Sequence, residues 1–136
     1  MLIAFIAATA IAGIAFVSDK ALKPAPPKVI STFPTQGAII TPGPIKLSVT
    51  FDRPMRQRSY SFVQKSAETY PDCGTNQPVQ SNNGKTFTLT CKVKAGHRYE
   101  VWFNNPPYLH FAGENGDPAV PFGLSFQTKP SANSSE

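Results

Sequence analysis

The chain has 136 residues, a formal net charge of +5, 14 prolines, 9 glycines and 2 cysteines. That length suits one domain, and 2 thiols without matched histidines cannot complete a tetrahedral structural zinc site. The basic residues are spread along the whole chain without a dense Lys/Arg run. This argues against a nucleic-acid partner, whose binders concentrate charge on one element beside stacking aromatics.

Residues 1–19 carry an uncharged apolar run, Leu2 to Val17, that fits a signal peptide or a membrane anchor. Lys20, Lys23 and Lys28 follow it, and by the positive-inside tendency a retained anchor would place the rest of the chain in the cytoplasm. Export to the periplasm or cell surface is the expectation adopted, with any membrane contact confined to this segment. Residues 20–28, KALKPAPPK, read as a Pro-rich linker, because the prolines forbid a helix and favour an extended form.

From residue 29 to 129 the pattern is one of short strands and turns. Val29 to Phe33 and Ala38 to Ile40 read as short strands flanking Pro34 and Gly37. Ile45, Leu47, Val49 and Phe51 alternate with polar residues, as in a half-buried strand. Ser59 to Val63 continues with Tyr60 and Phe62 facing inward, and Gln64 to Gln77 reads as loop. Val79 to Ser81 should pair with the strand from Thr86 across Asn83-Gly84, a sequence that tolerates positive φ. Phe87, Leu89, Cys91 and Val93 form the next inward row, and Lys94 to His97 turns the chain into Tyr99, Val101 and Phe103, which reads as a hairpin. A long connection, Asn104 to Pro121, precedes a last strand with Phe122, Leu124 and Phe126 inward. Residues 130–136 are polar and expected to be disordered. About seven strands without an internal repeat make an all-β sandwich.

Several of these stretches resemble the bacterial Ig-like domain family of surface-layer and other envelope proteins. VISTFPTQGAII resembles its opening segment, IKLSVTFDRPM its second strand, VKAGHRYEVWF its Gly-x-x-Tyr turn and GENGDPAVPFGLSFQT its closing turn and strand. The resemblance implies an Ig-like β-sandwich but no chemistry, since such modules serve as spacers, adhesion units and accessories. Within it, Tyr99 suits a tyrosine corner, with an ordinary half-buried tyrosine as the alternative.

No constellation for catalysis stands out. His97 and His110 fall in a turn and a long loop, no G-x-S-x-G elbow occurs, and no spacing singles out a pair among Asp52, Glu100, Glu114 and Asp117. The expectation is therefore a non-enzymatic module with no cofactor and no metal. Glu114 to Asp117 lacks the ligand spacing of a calcium loop. A periplasmic copper-binding carrier of related sandwich fold is the alternative function, yet those carriers use an N-terminal histidine that is missing here, leaving Cys, Met55 and His as donors.

Two surfaces are candidates for binding an envelope protein or an anionic polysaccharide. Arg53, Arg56 and Arg58 cluster with Asp52 as the only nearby acid, a set able to recognise carboxylate or phosphate. Tyr108 and Phe111 in the long loop are candidates for exposed stacking aromatics, with capping of the core as the alternative. Cys73 and Cys91 would close a loop as a disulfide in an oxidising compartment. Reduced buried thiols are the alternative, because a hairpin centred on Asn83-Gly84 places Asn76, not Cys73, across from Cys91.

Overall fold

A computed structural model describes residues 24–131. Eight strands follow in order: β1 (Val29–Phe33), β2 (Ile39–Ile40), β3 (Gly43–Phe51), β4 (Phe62–Val63), β5 (Val79–Gln80), β6 (Thr86–Val93), β7 (Arg98–Phe103) and β8 (Phe122–Thr128). They form two four-stranded sheets, ordered β1-β3-β6-β5 and β2-β8-β7-β4. The all-β Ig-like sandwich is therefore observed, with eight strands because two-residue pieces complete each sheet. The predicted leader, residues 1–19, lies outside the described residues, as does most of the predicted tail.

The alternation fixes the core. Ile45, Leu47, Val49 and Phe51 from β3 and Phe87, Leu89, Cys91 and Val93 from β6 are buried on one inner face. Tyr99, Val101 and Phe103 from β7 and Leu124 and Phe126 from β8 supply the other. On the solvent side of the first sheet the same strands carry hydroxyls, and the opposed Thr50 and Thr86 share a hydrogen bond of 2.8 Å. β3 starts two residues earlier than its periodicity implies, with Pro44 paired opposite Lys92. Pro44 is tolerated because β1 ends at Phe33 opposite Ser48, so no strand flanks it on the side away from β6.

The turn after β6 corrects a sequence expectation. β6 and β7 are not a hairpin: β6 pairs with β3 and β5, whereas β7 pairs with β8 and β4. Lys94 to His97 carries the chain from one sheet to the other. Gly96 donates from its backbone to Lys129 O and His97 from its backbone to Thr128 Oγ1, tying the turn to the end of β8. Tyr99 is buried, and its hydroxyl accepts from the Lys94 N–H at 2.7 Å, five residues upstream. This is the tyrosine corner, and it holds the crossing in place.

The edge of the first sheet beyond β6 contains a register slip that resolves the cysteines. Val79 pairs with Thr88 and Gln80 with Phe87, as a turn at Asn83-Gly84 requires. Farther up, Asp72 pairs with Lys92, a shift of three residues. Between them Pro78 has no N–H to donate, Gly74 adopts φ 56° and donates to Asp72 Oδ1, and Asn76 donates to Cys73 O. The slip places Cys73 beside Cys91, and the two form a disulfide.

Candidate functional site

Two loops build one pole of the sandwich. The β3–β4 connection and the β7–β8 connection run side by side, with Met55 bridged to Gly113 and the Arg56 N–H donating to Ala112 O at 2.8 Å. The Ser59 hydroxyl donates to His110 O, and the His110 N–H donates to Ser61 Oγ at 2.9 Å. The arginine cluster and the aromatic loop, 50 residues apart in places along the chain, are thus joined through Ser59 and His110, whose sequence separation is 51.

Asn104 sets the path of the long loop. It is fully buried with φ 67°, a conformation asparagine tolerates better than most residues. Its Nδ2 donates to Phe111 O at 2.9 Å and Ala119 O at 3.0 Å, and its Oδ1 accepts from the Phe111 N–H at 2.9 Å. Sequence reasoning missed this residue, whose only signal was an asparagine directly after a strand.

Phe111 is fully buried, so it caps the core as one of its two readings has it and is corrected as a candidate exposed stacking residue. It enters between the sheets, with ring centroids 5.0 Å from Phe51 and Phe87 and 5.3 Å from Phe62. Burying this ring removes apolar area worth roughly 1.5–3 kcal/mol. Tyr108, three residues earlier, remains 56% exposed.

The three arginines separate into different roles. Arg53 clamps the chain leading into the sandwich: its Nε and Nη2 donate to both Asp52 carboxylate oxygens at 2.8 and 3.1 Å, and Nη1 donates to Ala25 O at 2.7 Å. Its Nη2 also reaches Pro26 O at 3.3 Å. The hydrogen bond from Arg53 holds the Asp52 carboxyl below its ordinary pKa, against a smaller opposing effect of burial. The last residues of the predicted linker are accordingly docked, with Pro27 buried and its carbonyl accepting from Val120. Arg56 and Arg58 are exposed. Among the described residues the only ion pair is Arg53–Asp52, so neither has a carboxylate partner. Arg56 lies against Gly116, where an added Cβ would meet its Nη2 at 2.8 Å. Arg58 holds φ 57° and lines a shallow polar cleft of about 420 Å³ with Glu114, Asn82 and Asn83.

Of the donors left for copper, His110 alone is exposed with no side-chain hydrogen bond among the described residues, and the others are engaged or buried. Met55 is 2% exposed, both cysteines are in the disulfide, and His97 Nε2 lies 2.6 Å from Glu68 O. Among the described residues no group of three His, Cys, Asp or Glu is placed to hold a metal ion.

A two-layer Ig-like sandwich with a tyrosine corner defines the class of module. The chain belongs to the bacterial Ig-like domain family, which it matches over residues 23–128. Among solved structures it is similar to the S-layer protein rSbsC, with 22% identity, a TM-score of 0.47, and coverage of 85% of this chain and 15% of that one. The chain therefore corresponds in extent to a small part of that S-layer protein. No curated protein matches it.

Proposed function

We propose that this chain is a non-enzymatic Ig-like module of the cell envelope that holds an anionic polysaccharide at the pole formed by Arg56, Arg58 and Tyr108. One observation carries the reading. Two arginines without ion pairs stand on a loop that backbone and side-chain bonds tie to the loop bearing an exposed tyrosine. Guanidinium groups of this kind grip carboxylates in pairs of parallel hydrogen bonds, and the tyrosine ring offers a face to the sugar between them. Export is supported by the disulfide, since such bonds persist in oxidising compartments. The net charge of +5 favours approach of a polyanion.

Affinity electrophoresis in gels containing polygalacturonate tests this. The wild-type chain should be retarded at low salt, with retardation fading as ionic strength rises. The Arg56→Ala/Arg58→Ala double variant should migrate as it does without polymer. Unchanged retardation of the double variant, with an unchanged melting temperature, would remove these arginines from the site.

A further inference from the structure

We infer that the groove between the open edges of the two sheets is a binding site for an uncharged sugar ring. This extends the polysaccharide reading from the acidic groups of a polymer to its neutral residues, and rests on that reading only in the class of ligand. The groove follows from strand lengths. On this side each sheet ends in a two-residue strand, β4 or β5, so no long strands close the sandwich. The 64–78 segment crosses the gap instead: Thr69 O accepts from the Glu100 N–H in one sheet, and Asp72 pairs with Lys92 in the other. A cleft of about 610 Å³ remains, lined among others by Tyr60, Phe62, Tyr70, Cys73, Tyr108 and His110.

The walls are fixed before any ligand arrives. The Cys73–Cys91 bond ties the covering segment to β6, Asn76 Nδ2 donates to Thr90 O at 2.8 Å, and the Tyr60 hydroxyl donates to Gln77 Oε1 at 2.8 Å. A preformed site loses little freedom on binding. The chemistry of the lining selects the ligand. No Lys, Arg, Asp or Glu borders the cleft, so a charged ligand gains no partner inside it. Aromatic rings supply apolar faces that suit the C–H face of a pyranose. The side chains of Gln64, Tyr70, Tyr108 and His110 also line it and form no hydrogen bond with another described residue. Burial pushes the Tyr70 pKa up, keeping its hydroxyl a neutral donor at physiological pH.

These groups both donate and accept, as sugar hydroxyls do. A run of consecutive prolines would satisfy the donors but would bring no backbone N–H to the Gln64 side-chain oxygen.

The test is an array of neutral tetrasaccharides (cello-, malto-, manno- and chito-) probed at about 1 M sodium chloride, where surface charge is screened. At least one should bind, and Tyr70→Phe, which removes the hydroxyl and keeps the ring, should weaken it about 3–10-fold. Tyr108→Ala should weaken it too, while Arg56→Ala/Arg58→Ala should not. Absence of binding by every neutral probe would overturn the inference, as would binding indifferent to Tyr70 and Tyr108. Capture of a KPAPPK peptide in place of any sugar, lost in Tyr108→Ala, would overturn it in favour of a peptide groove. Loss of polygalacturonate binding in the arginine variant is read separately at low salt, so either reading fails without the other.

Discussion

Replacing Asn104 by alanine should destabilise the fold more than the loss of one surface amide would suggest. The side chain is fully buried and makes three hydrogen bonds to the backbone of the β7–β8 connection. Phe111 O keeps a second partner, the Ala119 N–H, after truncation. The Phe111 N–H and Ala119 O have no other partner, and each orphaned buried group costs about 1–3 kcal/mol. Alanine must also hold φ 67°, at about 1 kcal/mol. The sum is roughly 3–7 kcal/mol, a large part of the roughly 5–15 kcal/mol that holds a domain together.

Urea unfolding followed by fluorescence of Trp102, with the disulfide intact, measures the loss directly. Asn104→Gly separates the contributions, because glycine accepts the positive φ but leaves the same two groups unpaired. It should fall between wild type and Asn104→Ala. Asn104→Asp keeps the acceptor for the Phe111 N–H but turns a carboxylate toward two carbonyl oxygens. That variant should be least stable at neutral pH and recover as the carboxyl protonates. If Asn104→Ala unfolds within about 1 kcal/mol of wild type, the bonds do not hold the loop, and packing of Phe111 alone must do so.

Three further outcomes follow from the same structure. The Cys73→Ser/Cys91→Ser variant should lose about 3 kcal/mol, the chain-entropy value for a closed loop of this size, with no change in the wild type under reducing conditions speaking against the bond in solution. The Asp52 carboxyl titrates below its usual value of 3.8 in the folded chain, so its contribution is present above that pH and lost as pH falls through the depressed value. Asp52→Asn should therefore flatten the acid limb of the melting-temperature profile, and an unaltered limb would show the Arg53 pairing to be idle. Arg58→Gly relieves a left-handed residue that costs roughly 1–2 kcal/mol, partly offset by the greater freedom of unfolded glycine, and should melt at or above the wild type while binding polygalacturonate less well.

Alternation told which residues face inward on β3, β6, β7 and β8, because a period of two depends only on the chain's own geometry. It could not tell which strand lies beside which. Phe87 to Val93 and Tyr99 to Phe103 read as a hairpin, since a glycine turn joins them, and only the bonds from Gly96 and His97 to the end of β8 reveal a crossing between sheets. The cysteines illustrate the same limit. The register counted from Asn83-Gly84 holds at Val79 and Gln80, then slips by three residues where Pro78 and Gly74 interrupt the pairing. Phe111 was legible as an apolar loop residue that either caps the core or is displayed, and the loop path set by Asn104 decides for the core. The groove was not legible at all: Tyr60, Tyr70, Leu89 and Tyr108 come from four separate segments, and Tyr70 lay in a stretch without periodicity.

The groove and the protection of the sheet edges have one cause. A long, flat edge strand exposes a row of backbone groups that recruits other chains, and short edge strands avoid this. Here β4 and β5 are each two residues long, and Pro78 directly before β5 denies it an N–H with which to extend. Shortening both edges leaves inner-facing aromatics on this side without a facing strand, so Tyr60, Phe62 and Tyr70 are only partly covered. The disulfide fastens the covering segment to β6 beside the paired Asp72 and Lys92. Restoring a strand should therefore close the groove. Replacing Gly74 to Pro78 with a two-residue link would bring Cys73 into the Val79 register and fill the cleft with paired backbone. The resulting chain should be at least as stable as wild type, lose sugar binding, and associate through its lengthened edge, which sedimentation would detect.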